Sequence, residues 1–478
     1  MTIGDWIGLI FLAGLVGFVG GGFCIFQLFF KKKEPADSAA ERLKEHFDSP
    51  LLADLVVAKR TFPTGIRADL QRALDQLFAA DAKVVDSTGV KSDYAHLGLV
   101  FGNLVHPSNP AETIPLEFEE LDIGEAEPVK CHGDTLWLLE WQGEPCALLL
   151  AKHMNFSGGS DLQFFVATRS GEQGEKLSRE LFGRLEEAAK NASSYRGKIL
   201  SLEPSISYSG RTIGIKVHKL RQVARDQVIL PPKTLDLLDR NVIRFVTQRA
   251  RLAALGQATK KGLLFYGPPG TGKTHTIHYL AAALEGHTTL LIAAEQVAYL
   301  DQYMALARLY QPSIVVLEDV DLIARDREAM DSPCGEALLN KLLNEMDGLR
   351  EDANILFILT TNRPQSLEQA LASRPGRVDQ AIEFPLPDAE GRRKLVRLYS
   401  QGMKVSEELV GEIAARTERV SAAFIKELMR RTLQFHLERD GDSELTRADL
   451  DLALDELLIS GGSLNLKLLG AQITEAAT

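Results

Sequence analysis

The sequence predicts an α/β protein: a phosphate-binding module on a parallel sheet flanked by helices, followed by a small helical lid. An α+β domain and an N-terminal transmembrane helix are expected to precede it. Three observations carry this. Gly267-Pro268-Pro269-Gly270-Thr271-Gly272-Lys273-Thr274 is a complete Gly-x-x-x-x-Gly-Lys-Thr loop, with a strand-like apolar run at 262–266 before it and a helical pattern at 276–284 after it. Ile314, Val315, Val316 and Leu317 read as a buried parallel strand that ends in Glu318-Asp319. Residues 6–30 are almost uninterrupted apolar sequence, followed at once by Lys31-Lys32-Lys33.

Each part of the loop has a physical task. The glycines let backbone N–H groups curl around phosphate oxygens at the positive end of a helix. Lys273 adds a point charge toward the β- and γ-phosphates, and Thr274 supplies a hydroxyl for Mg²⁺. His275 is the next residue along the helix and is counted with the loop as a nucleotide contact, although the side chains of His275 and His278 read as structural. Val228 and Ile229, just before the module, are candidates for the base by position alone.

Carboxylates at the C-terminal end of a parallel strand stand where open α/β sheets hold ligands. One of Glu318 and Asp319 is expected near Mg²⁺ and the other beside the attacking water. A further strand at 355–361 ends in Asn362, placed to hydrogen-bond the γ-phosphate or that water. Arg374 and Arg377 flank a Pro-Gly turn, and as rigid, always-charged forks they suit insertion into a neighbouring copy's site. Two exposed surface arginines are the alternative.

Together these residues resemble the AAA family of ring-forming ATPases. The resemblance runs from about residue 226 to 460. It rests on the loop at 267–274, Ile314 to Asp321, Asn344-Glu345-Met346-Asp347-Gly348, Asn362 and Arg374-Pro375-Gly376-Arg377, in the family's order and spacing. It implies ATP and Mg²⁺, and a homo-oligomeric ring of six or seven copies. Each site would be completed by arginines of the next copy, as a head-to-tail interface allows when its rotation closes. By position Glu318 takes the metal role and Asp319 activates water. A large ATPase subdomain is expected over 206–386, a helical lid over 387–460 with Val420-Ser421-Ala422-Ala423-Phe424 approaching the nucleotide, and a tail over 461–478.

Three departures from the family pattern stand out. The usual acidic order is Asp-Glu, whereas here it is Glu318-Asp319, which implies slow turnover. The segment from Ala294 to Ser313 lacks the longer insert that grips a threaded polypeptide. Tyr299 and Tyr303 are its candidates for a pore aromatic, with a core or interface role as the alternative. No His-Glu-x-x-His occurs, so the chain does not resemble a membrane metalloprotease of the family.

A helix over 6–30 is long enough to span a bilayer with some tilt. The lysine block places the downstream body on the cytoplasmic side, with the N-terminus out. A cleaved signal fits less well, because the start carries no base and the apolar stretch is too long. The 478 residues exceed one core, and the net charge of −11 argues against a nucleic-acid partner. Cys24, Cys131, Cys146 and Cys334 lack metal or disulfide spacing and read as reduced thiols.

A polar linker at 31–40 leads to an α+β middle domain at 41–205. It is predicted from a helix over 66–78, a hairpin over 135–151, a strand over 162–168, a helix over 175–191 and a closing strand over 197–202. This layout is similar to that of the mitochondrial AAA translocases that move the folded Rieske iron–sulfur protein. The expected function is a membrane-anchored ATPase that remodels, extracts or translocates protein clients. A slow, nucleotide-switched ring scaffold is the alternative.

Overall fold

The computed structural model describes residues 38–49, 52–93, 95, 98–106, 110–154, 160–207, 210–322, 341–342, 344–365, 378–439 and 444–457. The expected transmembrane helix at 6–30, Arg374, Arg377 and the tail at 461–478 lie outside the described residues. Among those described, no helix is long and apolar enough to cross a membrane. Residues 39 and 40, counted with the expected linker at 31–40, belong instead to a helix at Ala39–His46, which Ser38 caps by accepting from the Glu41 N–H at 3.3 Å.

The chain forms two compact units, the first holding the residues up to Leu121 and Lys130–Asn191. Its strands are β1 (Leu55–Pro63), β2 (Ala82–Lys91), β3 (Glu112–Ile114), β6 (Thr135–Trp141), β7 (Glu144–Met154) and β8 (Ser160–Arg169), in the order β1-β8-β7-β6-β2-β3. All of these pairs are antiparallel. β4 (Phe118–Leu121) and β5 (Val129–His132) pair separately. The expected hairpin is present. Gln142 and Gly143 form its two-residue loop with φ of 53° and 85°, the left-handed values that match strand twist.

β6 is buried along nearly its whole length, which requires cover on both faces. Leu136 and Leu138 pack with Leu43 and Phe47. Alternation turns Trp137 the other way, where its ring meets Phe78 of helix Arg67–Ala80 at 5.5 Å. Helix Glu172–Lys190 buries Leu177, Leu181 and Leu185, the four-residue spacing of one helix face. Cys131 and Cys146 are free and buried, and burial pushes their thiols up to about 11 and about 12.

The second unit holds Asp122–Val129 and the residues from Ala192 onward. Its sheet comprises β9 (Ile199–Ser207), β10 (Gly210–His218), β11 (Lys261–Tyr266), β12 (Thr288–Ile292), β13 (Ser313–Leu317), β14 (Ile355–Thr361) and β15 (Gln380–Glu383). The order is β10-β9-β12-β13-β14-β11-β15, parallel throughout except for the β9–β10 hairpin. Residues 197–202, expected to close the middle domain, belong here instead. Ile199 and Leu200 pair in parallel with Thr289 and Leu290, and Leu200 and Leu202 are buried in this unit. The units therefore part at residue 191 rather than at 205.

Among the described residues, four helices follow the sheet: Ala389–Tyr399, Glu407–Arg416, Ala422–Glu438 and Arg447–Asp455. Each begins on a side-chain cap, supplied by Asp388, Ser406, Ser421 and Thr446 in turn. Their inward faces make a separate apolar core around Val396, Ile413, Phe424, Leu428 and Leu450.

Tyr303, one candidate for a pore aromatic, is fully buried in helix Leu300–Leu309. Its hydroxyl accepts from the Leu202 N–H at 2.7 Å and donates to Gln296 Oε1 at 2.9 Å, while Gln296 Nε2 donates to the Leu202 carbonyl. Tyr303 thus ties β9 to the helix after β12 and is a core residue. Tyr303→Phe would leave the buried Leu202 N–H unpaired. We expect a loss of about 1–3 kcal/mol of stability, read as a lower midpoint in chemical or thermal unfolding.

Candidate nucleotide site

β11, β13 and β14 are neighbours and run parallel, so their C-terminal ends open on one edge of the sheet. β11 feeds the loop at 267–274, β13 feeds Glu318 and Asp319, and β14 feeds Asn362. Three segments far apart in sequence meet there because of strand order alone.

The loop is held close to its surroundings. Gly267 has φ of 146°, and a Cβ on it would stand 2.2 Å from the Phe384 carbonyl oxygen, so only glycine fits. Gly270 has φ of 75°, and its Cβ would lie 2.8 Å from Ser421 Oγ and 2.9 Å from Ala423 Cβ. Its carbonyl accepts from the Ala423 N–H at 3.1 Å, which joins the loop to the first turn of a lid helix. Helix Lys273–Ala283 then starts with its free N–H groups at the loop.

Lys273 is 6% exposed. Its ammonium donates to the carbonyls of Gly267 (2.8 Å) and Pro268 (3.0 Å) and to Asn362 Oδ1 (2.8 Å). Burial pushes its pKa down to about 8, against the upward pull of Asp319 and Asp321. The amide of Asn362 faces both ways, since its Nδ2 donates to Asp319 Oδ1 at 2.9 Å. Asp319 takes a left-handed φ of 50°, and its N–H donates to Thr360 Oγ1 at 2.9 Å. Thr274 Oγ1 donates to Glu318 Oε1 at 2.6 Å. Two oxygen donors from the protein suit Mg²⁺, which keeps water and phosphate oxygens for its remaining positions. The residues present therefore fit that ion.

These groups border a cleft of about 410 Å³, within the range of small-molecule sites. Of the expected positions, Val228, Ile229, Pro269, Gly270, Thr271, Gly272, Lys273, Thr274, His275, Asp319 and Asn362 line it. Gly267 and Pro268 act through the carbonyls that hold Lys273, and Glu318 joins through Thr274. His275 Nε2 lies 3.2 Å from the Gln227 carbonyl, so its ring buttresses the segment that carries Val228 and Ile229. Burial lowers the His275 pKa, a shift the Gln227 carbonyl opposes.

The lid contributes Leu395, Tyr399, Ala422, Ala423 and Lys426, of which only the segment around Ala422 was expected from the sequence. Gln227, Leu230 and Thr360 also line the cleft and carry no motif that marks them. The amphipathic spacing of Leu395 and Tyr399 is the same signal that marks core residues.

Residues 263–386 match the family model described as "ATPase family associated with various cellular activities (AAA)". Over 269 residues the chain is 32% identical to the proteasome-activating nucleotidase of Methanothermobacter thermautotrophicus, covering 54% of this chain and 61% of that one. It is 31% identical over 233 residues to ATP-dependent zinc metalloprotease FtsH 2 of Symbiobacterium thermophilum, 46% of this chain and 39% of that protein. It is 28% identical over 332 residues to the Cell division cycle protein 48 homolog of Archaeoglobus fulgidus, 67% of this chain and 42% of that protein. The chain thus spans between about two-fifths and three-fifths of these relatives' lengths. With the sheet order, the loop and the acidic pair, these likenesses identify an AAA ATPase domain in this chain, with homologues among proteasome-type ATPases and FtsH proteins.

Proposed function

We propose that this chain binds ATP with Mg²⁺, hydrolyses it, and uses the cycle to remodel, extract or translocate protein clients at a membrane. The observation that carries the catalytic reading is the continuous link from Lys273 through Asn362 to Asp319. It puts a cation, an orienting amide and a carboxylate base within one hydrogen-bond path at the end of the cleft. Lys273 binds phosphate oxygens and steadies charge developing on them. Asp319 accepts the proton of the attacking water, and Asn362 holds that carboxylate and the water in line. Glu318 and Thr274 would hold Mg²⁺, which would supply positive charge to offset that on the phosphates.

The mechanical part rests on different support. Relatives named for proteasome activation and for proteolysis suggest protein clients. Residues 6–30 would anchor the chain as a single span, with residues 31–33 holding the ATPase body on the cytoplasmic side. Copies would assemble as a ring of six or seven, Arg374 and Arg377 of one completing the site of the next. Tyr303 is committed to the core and Tyr299 stays half-buried, so the short segment at 294–313 leaves one of its two aromatic candidates for threading, which favours clients handled folded, in the manner of the Rieske translocases. The reversed Glu318-Asp319 order keeps a slow nucleotide-switched scaffold as the second reading.

Asp319→Asn distinguishes the two readings. In the hydrolytic reading kcat falls by about 10²–10⁴-fold, the usual contribution of a general base, while nucleotide binding persists. A wild type no faster than the variant, with ATP still driving assembly, would leave only the scaffold.

A pH dependence follows from Lys273. In the nucleotide-free protein its pKa is about 8, below the ordinary 10.5, and a bound triphosphate favours the charged amine and raises it. Below pH 8 the amine is already charged and affinity is flat in this respect. Above pH 8 binding must take a proton from solution, so affinity falls by up to about tenfold per pH unit. Titration with a slowly hydrolysed ATP analogue from pH 7 to 9.5 measures this, and Lys273→Ala should abolish both the tight binding and the slope.

A further inference from the structure

We infer that Asp321 is a positioning residue for hydrolysis, acting through Thr361 and Asn362 rather than on the substrate. The inference rests on the hydrolytic reading of this cleft and deepens it. Asp321 is 3% exposed and lies two residues beyond Asp319. It is not among the residues that line the cleft, and its bonded oxygen is turned to the end of β14. Its Oδ1 accepts from Thr361 Oγ1 at 2.9 Å and from the Asn362 N–H at 3.1 Å. The Thr361 hydroxyl in turn accepts from the Arg363 N–H at 3.0 Å. The end of β14 is thereby fixed over three consecutive residues by one buried carboxylate.

That fixation matters because Asn362 must satisfy two partners at once, Lys273 through Oδ1 and Asp319 through Nδ2. A small rotation of its backbone would break one of them. A carboxylate is a stronger acceptor than a neutral oxygen, so the restraint is stiff where the geometry is most demanding. The negative charge of Asp321 also favours the ammonium form of Lys273.

The test is a double-mutant cycle in the full chain, with kcat, KM for ATP and analogue binding measured separately. Asp321→Ala should lower kcat by about tenfold or more, the scale of a lost charged hydrogen bond, with analogue affinity changed less than threefold. In the Asn362→Ala background the same change should lower kcat by less than about twofold, because the residue through which it acts is gone. Asp321→Asn keeps an acceptor and the fold, and should lose only about threefold in kcat, again only when Asn362 is present. If Asp321→Ala does not fold, the Asp321→Asn cycle decides. Independent losses in the two backgrounds, or a loss confined to KM, would overturn the inference. A wild type with no ATP turnover would instead overturn the hydrolytic reading on which it stands.

Discussion

The second unit is organised around one buried ammonium. Lys273 is almost wholly removed from water, and a charge in that position is tolerated only if its donors are satisfied. Two acceptors come from its own loop, and the third, Asn362, comes from β14. That third acceptor exists only if β14 lies directly beside β11, and the carboxylates that steady the charge exist only if β13 lies next to β14. Strand order is thus a condition for burying the lysine. The acceptors it holds now are neutral oxygens, and a phosphate oxygen competes with them through its charge.

The lid shares in this arrangement through the backbone. Ala423 donates to the Gly270 carbonyl, and Ser421 both caps the lid helix and crowds Gly270. The loop cannot change its path at Gly270 without breaking or carrying that hydrogen bond. The lid has its own apolar core and a capped start to each helix, and residues 421–423 open its third helix. A local event at the phosphates therefore has a physical route to a whole subdomain.

The phosphate loop, the acidic strand and Asn362 were legible in the sequence because the chemistry leaves few residue types free at those places. Other features depend on partners that are distant along the chain. Residues 197–202 look like a strand in either unit, since an apolar alternating run does not say which sheet it joins. Only the pairing of Ile199 with Thr289 assigns it. Tyr303 reads equally well as a pore or a core aromatic until its hydroxyl is found against Leu202, about a hundred residues earlier. Leu395 and Tyr399 read as core by spacing, and Tyr399 does pack against the lid core as well as facing the cleft. Arg374 and Arg377 lie outside the described residues, so their role stays with the proposal.

The reversed acidic order has a backbone rationale. The second residue of the pair stands with φ of 50°, a left-handed conformation unfavourable by about 1–2 kcal/mol for most side chains and eased for aspartate and asparagine. Asp319 suits that turn better than a glutamate would, and its short arm is met halfway by the Asn362 amide. The first residue follows β13 directly, its N–H donates to the Ile292 carbonyl, and from there the longer glutamate accepts from Thr274 Oγ1 at 2.6 Å. Exchanging the two would add length where the turn already brings the group close and remove it where reach is needed. Glu318-Asp319 is therefore matched to this particular turn, and the loop helix and β14 are spaced to accept it.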